Sequence, residues 1–335
     1  MQLSASATSL SVPQSINDIA DVASSFDLKA RWIAPAPSTS SLEALALPTN
    51  TQDQAAAWLV NDWNVSSTTL SNSRFVDDPF GDDGLVLGVN YPKGTRDGEQ
   101  FFMTPIRVDS KVQTAALQYE VAFDAGFDFV KGGKLPGLYG SEQGAEGICS
   151  GGNRQPSCWS ARLMWRAKGE GEVYAYIPTY EGFCRQSDVS CNDKYGISLS
   201  RGSFDFAAGS WTTVTQLVAL NTPGIANGLL YLWANGKLAL AHTGIAWRVN
   251  DNVTISKVMF STFFGGSDSS WDSQGGQAYF RNFEVYAGLL PSNTSGPAVN
   301  ATLAVTSAAS PAFALSFCFP LTSFLIFIAF VCCSL

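Results

Sequence analysis

Two stretches in the middle of the chain restrict its fold more than any others. They are Ser160-Ala161-Arg162-Leu163-Met164-Trp165-Arg166 and Glu172-Val173-Tyr174-Ala175-Tyr176-Ile177-Pro178. Both alternate with period two, the pattern of a strand with one buried face. Ser160, Arg162, Met164 and Arg166 point one way, and Ala161, Leu163 and Trp165 the other. In the second stretch Glu172, Tyr174 and Tyr176 share a face opposite Val173, Ala175 and Ile177. The connection Ala167-Lys168-Gly169-Glu170-Gly171 reads as the turn of an antiparallel hairpin. If Arg166 faces Glu172 across it, Met164 falls opposite Tyr174 and Arg162 opposite Tyr176. Directly opposed Cβ atoms lie roughly 4.5–5.5 Å apart, so a guanidinium would reach a phenol. A sheet wall of cations, phenols and a hydroxyl suits an anionic, hydroxylated ligand.

The same short alternating runs, separated by Gly, Asp and Asn turns, continue through Leu85–Tyr91, Gln118–Phe123, Trp211–Leu220, Leu229–Trp233, Lys257–Phe264 and Ala278–Tyr286. Asn235-Gly236 between two of them is a strong hairpin signal. The expectation is one all-β domain over 51–290, an antiparallel sandwich or barrel, with no long helical period. Residues 1–50 are Ser/Ala/Pro-rich and read as a loosely ordered segment with a short helix near Ile16–Ser24. Residues 291–311 read as a Ser/Thr/Pro-rich stalk and 312–335 as an apolar tail.

Net charge is −8 and no run of Lys or Arg occurs, which argues against nucleic acid as a partner. Positive charge for an anionic ligand must be local, and Lys131, Lys134, Arg162 and Arg166 supply it. No metal and no cofactor are expected. The sole histidine, His242, reads as structural, and Asp268 and Asp272 lack the dense oxygen spacing of a calcium loop.

Of seven cysteines, Cys149, Cys158, Cys184 and Cys191 lie in the folded middle, in polar loops, without a Cys-x-x-Cys motif. Disulfides of a secreted protein are expected over zinc, paired Cys149–Cys158 and Cys184–Cys191 because both pairs close short loops. Sequons at Asn64, Asn252, Asn293 and Asn300 agree with a secretory route. The tail from about Ala312 to Val331 is almost continuously apolar, follows small residues and has no basic residue after it. It reads as a GPI-attachment signal in preference to a transmembrane span, placing the protein outside the cell or at its surface, as a monomer. Met1 to Pro13 shows no recognisable signal peptide.

The run from Phe129 through Pro178 resembles polysaccharide lyase family 14, whose founding activities are alginate and glucuronan lyases. The blocks that carry the resemblance are Lys131-Gly132-Gly133-Lys134-Leu135-Pro136-Gly137-Leu138, Cys149-Ser150-Gly151-Gly152, Cys158 through Arg166, and Gly171 through Pro178. Gly209-Ser210-Trp211, Asn235-Gly236 and Ser261 through Gly266 are similar as well, so the likeness covers about residues 75–287. The resemblance implies a β-jelly roll, two antiparallel sheets with an open cleft on one. It also implies that the family's catalytic lysine, serine, arginine and tyrosine pair fall on Lys134, Ser160, Arg162, Tyr174 and Tyr176.

The chemistry suits those residue types. β-Elimination in a 4-linked polyuronate removes the weakly acidic C5 proton beside a carboxylate. Cations such as Lys134 and Arg162, with Ser160 as a neutral donor, would stabilise the enolate-like intermediate. A phenol of Tyr174, Tyr176 or both would act as base and acid, its pKa lowered by neighbouring cations. Two other readings compete: a non-catalytic carbohydrate-binding jelly roll using the same cleft, and a structural cell-wall adhesin. Singly, each residue is ordinary strand or turn composition. Their co-occurrence favours the lyase.

Overall fold

The computed structural model describes residues 12–303 apart from 46, 48–50, 66–69, 82–83, 106–110 and 146–147. The chain begins with helix α1 (Ile19–Ser25), a short strand β1 (Ala30–Ile33), and helices α2 (Thr39–Glu43) and α3 (Gln52–Asp62). Strands β2 (Ser73–Asp77), β3 (Leu85–Asn90), β4 (Glu99–Met103), β5 (Thr114–Phe123), β6 (Gly132–Ser141), β7 (Cys158–Arg166) and β8 (Glu170–Tyr176) follow. Then come β9 (Val189–Ser190), β10 (Ile197–Asp205), β11 (Thr212–Ala219), β12 (Gly228–Ala234), β13 (Lys237–Ile245), β14 (Thr254–Thr262) and β15 (Gln277–Gly288).

They form two antiparallel sheets and no closed barrel. One runs β13-β12-β11-β5-β15-β3-β2, with β1 added beside the second half of β15; the other runs β4-β14-β6-β7-β8-β10-β9. Between them lies one apolar core drawn from both. Its densest part is aromatic: Phe123, Phe127, Phe264 and Tyr91 all meet Trp165 at centroid distances of 5.4–6.3 Å. Edge-to-face pairs of this kind add stabilisation beyond area burial. The inward phase of β7 and β8 is the one read from alternation: Leu163, Trp165, Val173 and Ala175 are fully buried.

Lys134 is positioned by a bulge. Register on β6 shifts between Leu135 and Gly137, with Pro136 at the irregularity, where its missing N–H breaks no ladder bond. The buried Gln216 of the facing sheet repairs the local pairing. Its Oε1 accepts from Leu138 N–H at 3.0 Å and its Nε2 donates to the Ala161 carbonyl at 2.8 Å.

Four expectations need correction. The β7–β8 hairpin pairs Ser160 with Tyr176, Arg162 with Tyr174 and Met164 with Glu172, two residues away from the expected register. A single 3₁₀ turn over Ala167–Gly169, with Lys168 left-handed at φ 63°, closes the connection early. Gly171 is a strand residue, paired with Trp165 on one side and Phe204 on the other, and it is glycine because the Phe204 ring lies where a Cβ would be, 2.4 Å away. Secondly, the N-terminal segment is built in over 12–45: Ile16, Ile19 and Val22 are buried and β1 pairs with β15. Ser/Ala-rich composition hid an apolar stripe that caps the outer face of Ala116, Leu217, Tyr231 and Trp233. Thirdly, α3 is helical where no helix was expected, its N-cap Thr51 accepting from Gln54 N–H at 3.2 Å. Lastly, the first part of the supposed stalk, 291–303, lies along the domain: Ala298 bridges Ile225 and Thr302 bridges Thr179. The apolar tail lies outside the described residues, among which no helix is long and apolar enough to cross a membrane.

Candidate active site

A cleft of about 420 Å³ opens on the outer face of the second sheet. Its floor is Lys134 from β6, Arg162, Met164 and Arg166 from β7, Tyr174 and Tyr176 from β8, and Ser198 and Arg201 from β10. Its walls are loops: Ser150 and Gly151 on one side, Cys191, Asn192 and Tyr195 on another, and Phe263 through Ser267 with Trp271 on a third. The structure therefore brings Lys134, Arg162, Tyr174 and Tyr176 to one concave face.

Lys134 and Arg162 are the buried cations, 7% and 1% exposed. Among the described residues the Lys134 ammonium forms no ion pair with a carboxylate. It donates to the Met164 thioether at 2.9 Å and sits 3.6 Å from the centre of the Tyr174 ring. Burial, reinforced by the charges of Arg162 and Arg166, holds its pKa well below 10.5. Arg162 donates to Ser261 Oγ at 2.9 Å and Ser150 Oγ at 2.8 Å, and its Nε has no hydrogen-bond partner among the described residues. Burial pulls this guanidinium down to about 10, so it keeps its charge at neutral pH.

The two phenols stand edge to face with centroids 5.9 Å apart. Each oxygen accepts a hydrogen bond from a glycine amide in a wall loop: Gly152 N–H to Tyr176 at 3.1 Å and Gly196 N–H to Tyr174 at 3.0 Å. With the oxygen so engaged as acceptor, the hydroxyl proton remains available to the cleft. Gly196 has to be glycine, because a Cβ there would lie 2.5 Å from the Tyr174 ring. The expectation of a lowered phenol pKa is reversed at Tyr174. Burial, then repulsion by Tyr176, outweighs the nearby cations and pushes it up to about 12.

The wall loops are stapled. Cys149–Cys158 and Cys184–Cys191 are both bonded, with Cα separations of 5.8 and 5.6 Å. Arg154, within the first loop, ties it to the stretch that follows the second by donating to the carbonyls of Asn192 at 2.8 Å, Asp193 at 3.3 Å and Tyr195.

A second network borders the floor. Glu172 is fully buried, and one of its oxygens takes Arg166 Nε and Nη2 at 3.0 and 2.6 Å. The other takes Arg201 Nε at 2.8 Å and the Ser198 hydroxyl. Two guanidiniums on one carboxylate leave the cleft with surplus positive charge.

Ser160 is the candidate that does not reach the cleft. It lies on the expected face, yet it is fully buried and its hydroxyl donates to the carbonyl of the loop residue Cys149 at 2.7 Å. Ser150, from that loop, lines the cleft instead. Sequence reasoning missed Ser150, Arg154, Tyr195, Arg201 and Trp271, all on loops or bulges without a period to read. Among the described residues no group of His, Cys, Asp and Glu could hold a metal ion. The four sequon asparagines are exposed.

A jelly roll with a cation-floored cleft and paired phenols defines a protein class that handles acidic polysaccharide. The family model "Polysaccharide lyase 14" matches residues 81–283, and the chain belongs to that family. Its fold is similar to the family 14 alginate lyase of Aplysia kurodai: 35% identity, 65% of this chain and 87% of that chain, TM-score 0.60. It is similar also to the alginate lyase vAL-1 from Chlorella virus: 25% identity, 65% and 90% coverage, TM-score 0.52. Exolysin of Paramecium bursaria Chlorella virus 1 is 27% identical over 176 residues. The match takes in 45% of this chain and a quarter of Exolysin's length.

Proposed function

We propose that the protein is an extracellular polysaccharide lyase that cleaves an alginate-like, 4-linked polyuronate by β-elimination. The observation that carries this reading is the convergence of Lys134, Arg162, Tyr174 and Tyr176 in one cleft, with the Lys134 ammonium in no ion pair with a carboxylate among the described residues. A uronate carboxylate placed there would meet the charge of Arg162 and, when protonated, of Lys134. Their field favours the enolate-like charge that develops as C5–H ionises. Tyr174, holding its proton at neutral pH, is suited to deliver it to the departing O4. The acceptor of the C5 proton is drawn from Tyr176 and the amine of Lys134, which burial biases toward its neutral form. Ser160 supports the site from beneath by holding the Cys149 carbonyl.

The cysteine pairs and the family support a site of action outside the cell. A GPI anchor on the C-terminal tail, and glycans at Asn64, Asn252, Asn293 and Asn300, belong to the same reading. Treatment of intact cells with a phosphatidylinositol-specific phospholipase tests the anchor. The activity is tested by incubating the full chain with polymannuronate, polyguluronate and polyglucuronate and following the ultraviolet absorbance of the unsaturated product. Absence of that product from all three refutes the lyase reading.

A further inference from the structure

Four adjacent strands, β6, β7, β8 and β10, form the cleft floor, and basic groups recur across it: Lys134, then Arg162 and Arg166, then Arg201. Neighbouring strands lie about 4.8 Å apart, so the row from β6 to β10 spans about 14 Å. That is longer than one sugar ring, and it runs across the strands.

Arg201 owes its place to a break in the strand pattern. Ser198 lines the cleft and Leu199 is fully buried in the core. Plain alternation would therefore turn Ser200 to the cleft and Arg201 inward. Instead β10 bulges. Between the pairs Leu199–Val173 and Phe204–Gly171, the four residues Ser200, Arg201, Gly202 and Ser203 stand against Glu172 alone. The bulge starts at Ser200 with φ 49°, in the left-handed region that a serine rarely adopts. Partners distant from β10 hold it there. Its N–H donates to the Asp188 carbonyl at 2.7 Å, and its hydroxyl lies 3.0 Å from His242 Nε2 and 3.3 Å from Asp188 Oδ2. Bulges beside sites commonly re-aim a side chain, and a strained residue over-determined by its surroundings points to function.

The re-aimed side chain has spare capacity. Arg201 spends only Nε, on Glu172 Oε2 at 2.8 Å and Ser198 Oγ at 3.3 Å. Its two Nη groups meet no partner among the described residues, and the side chain is 47% exposed. Glu172 does not need it for neutralisation, since Arg166 already binds the other carboxylate oxygen through two nitrogens.

We infer that Arg201 is a specificity-determining residue. Its two Nη groups receive the carboxylate of a second uronate, displaced along the polymer from the sugar held at Lys134 and Arg162. Ser200, His242 and Asp188 act as positioning residues that keep Arg201 turned outward. The assignment rests on the polyuronate reading above, and it makes cleft affinity depend on chain length.

The test compares the full chain with Arg201→Gln, Arg201→Lys and Ser200→Gly on a polyuronate and on defined oligouronates of increasing length. Thermal melting is followed in parallel to verify folding. Losing a charge-assisted hydrogen bond predicts a KM for the polymer raised roughly 10-fold or more in Arg201→Gln. The kcat should stay within about twofold, and the shortest oligomer that is cleaved should show no KM change. Arg201→Lys should fall between, and Ser200→Gly, which frees the bulge, should show a smaller KM rise with the same length dependence. Polymer kinetics unchanged in Arg201→Gln overturn the assignment. So does a loss equal at every length or confined to kcat, which marks a structural role. A parent protein that turns over no polyuronate refutes the function reading and removes this assignment with it.

Discussion

Lys134 has a cost that the Tyr174 ring and the charge of Glu172 only partly relieve. Its ammonium is buried between two arginines, and its hydrogen-bond acceptor is a thioether. A lysine whose folded pKa lies below its unfolded value binds protons more weakly in the folded state, so stability rises with pH between the two values. The penalty is full below the folded pKa, shrinks as pH climbs from there toward 10.5 and vanishes above it. Lys134→Met should accordingly raise the melting temperature at neutral pH while abolishing turnover, with the gain disappearing in strongly alkaline buffer. A melting temperature that falls at neutral pH contradicts this account. Tyr176→Phe separates chemistry from packing. It keeps the ring against Tyr174 but removes the proton, so turnover should drop by about 10²–10⁴-fold if this phenol is the acceptor. Substrate affinity should change far less, because Arg162 still holds the carboxylate. Undiminished turnover in that variant assigns the proton to Lys134.

At the level of the element, the β7–β8 hairpin packs the core with one face and lines the cleft with the other. Trp165, fully buried amid four aromatic rings, should cost about 3–5 kcal/mol on substitution by alanine, measured by denaturant unfolding. Gly196→Ala should leave the sheets intact yet displace Tyr174, so a large loss of kcat with little change in melting temperature is expected. The two faces of this hairpin are legible from alternation alone, and so is the grouping of Arg162, Tyr174 and Tyr176. The register is not. Gly171 carries the local signature of a turn, yet it is a strand position whose missing side chain makes room for the ring of Phe204, more than thirty residues away in sequence. Ser160 shows the same limit, because periodicity names its face but not its burial there. Arg201 is harder still, since a bulge inverts the parity from which its direction would be read.

For the whole molecule, the sandwich and its pairing follow from many short alternating runs, each weak and mutually consistent. The additions are less readable. The segment 12–45 looks polar along the chain, yet α1 covers an outer sheet face and β1 extends the sheet. Removing residues 1–45 should therefore lower the unfolding midpoint and expose Tyr231 and Trp233, detectable as a change in tryptophan fluorescence. A midpoint equal to that of the full chain would mean the segment adds no net stability.

The clasp that Arg154 makes, from inside one disulfide loop to the stretch that follows the other, has a consequence for how the cleft answers to reduction. Cys149–Cys158 packs with the cleft residues outside the inter-sheet core, whereas Cys184–Cys191 packs against the edge of that core. Of the two glycine amides that orient the phenols, Gly152 lies within the Cys149–Cys158 loop and Gly196 follows the second bridge, on the stretch that Arg154 holds. Reductant should therefore cost turnover at a lower concentration than it costs the fold, read as activity lost before the melting temperature moves; a melting temperature that falls together with activity would make the bridges props of the whole sandwich.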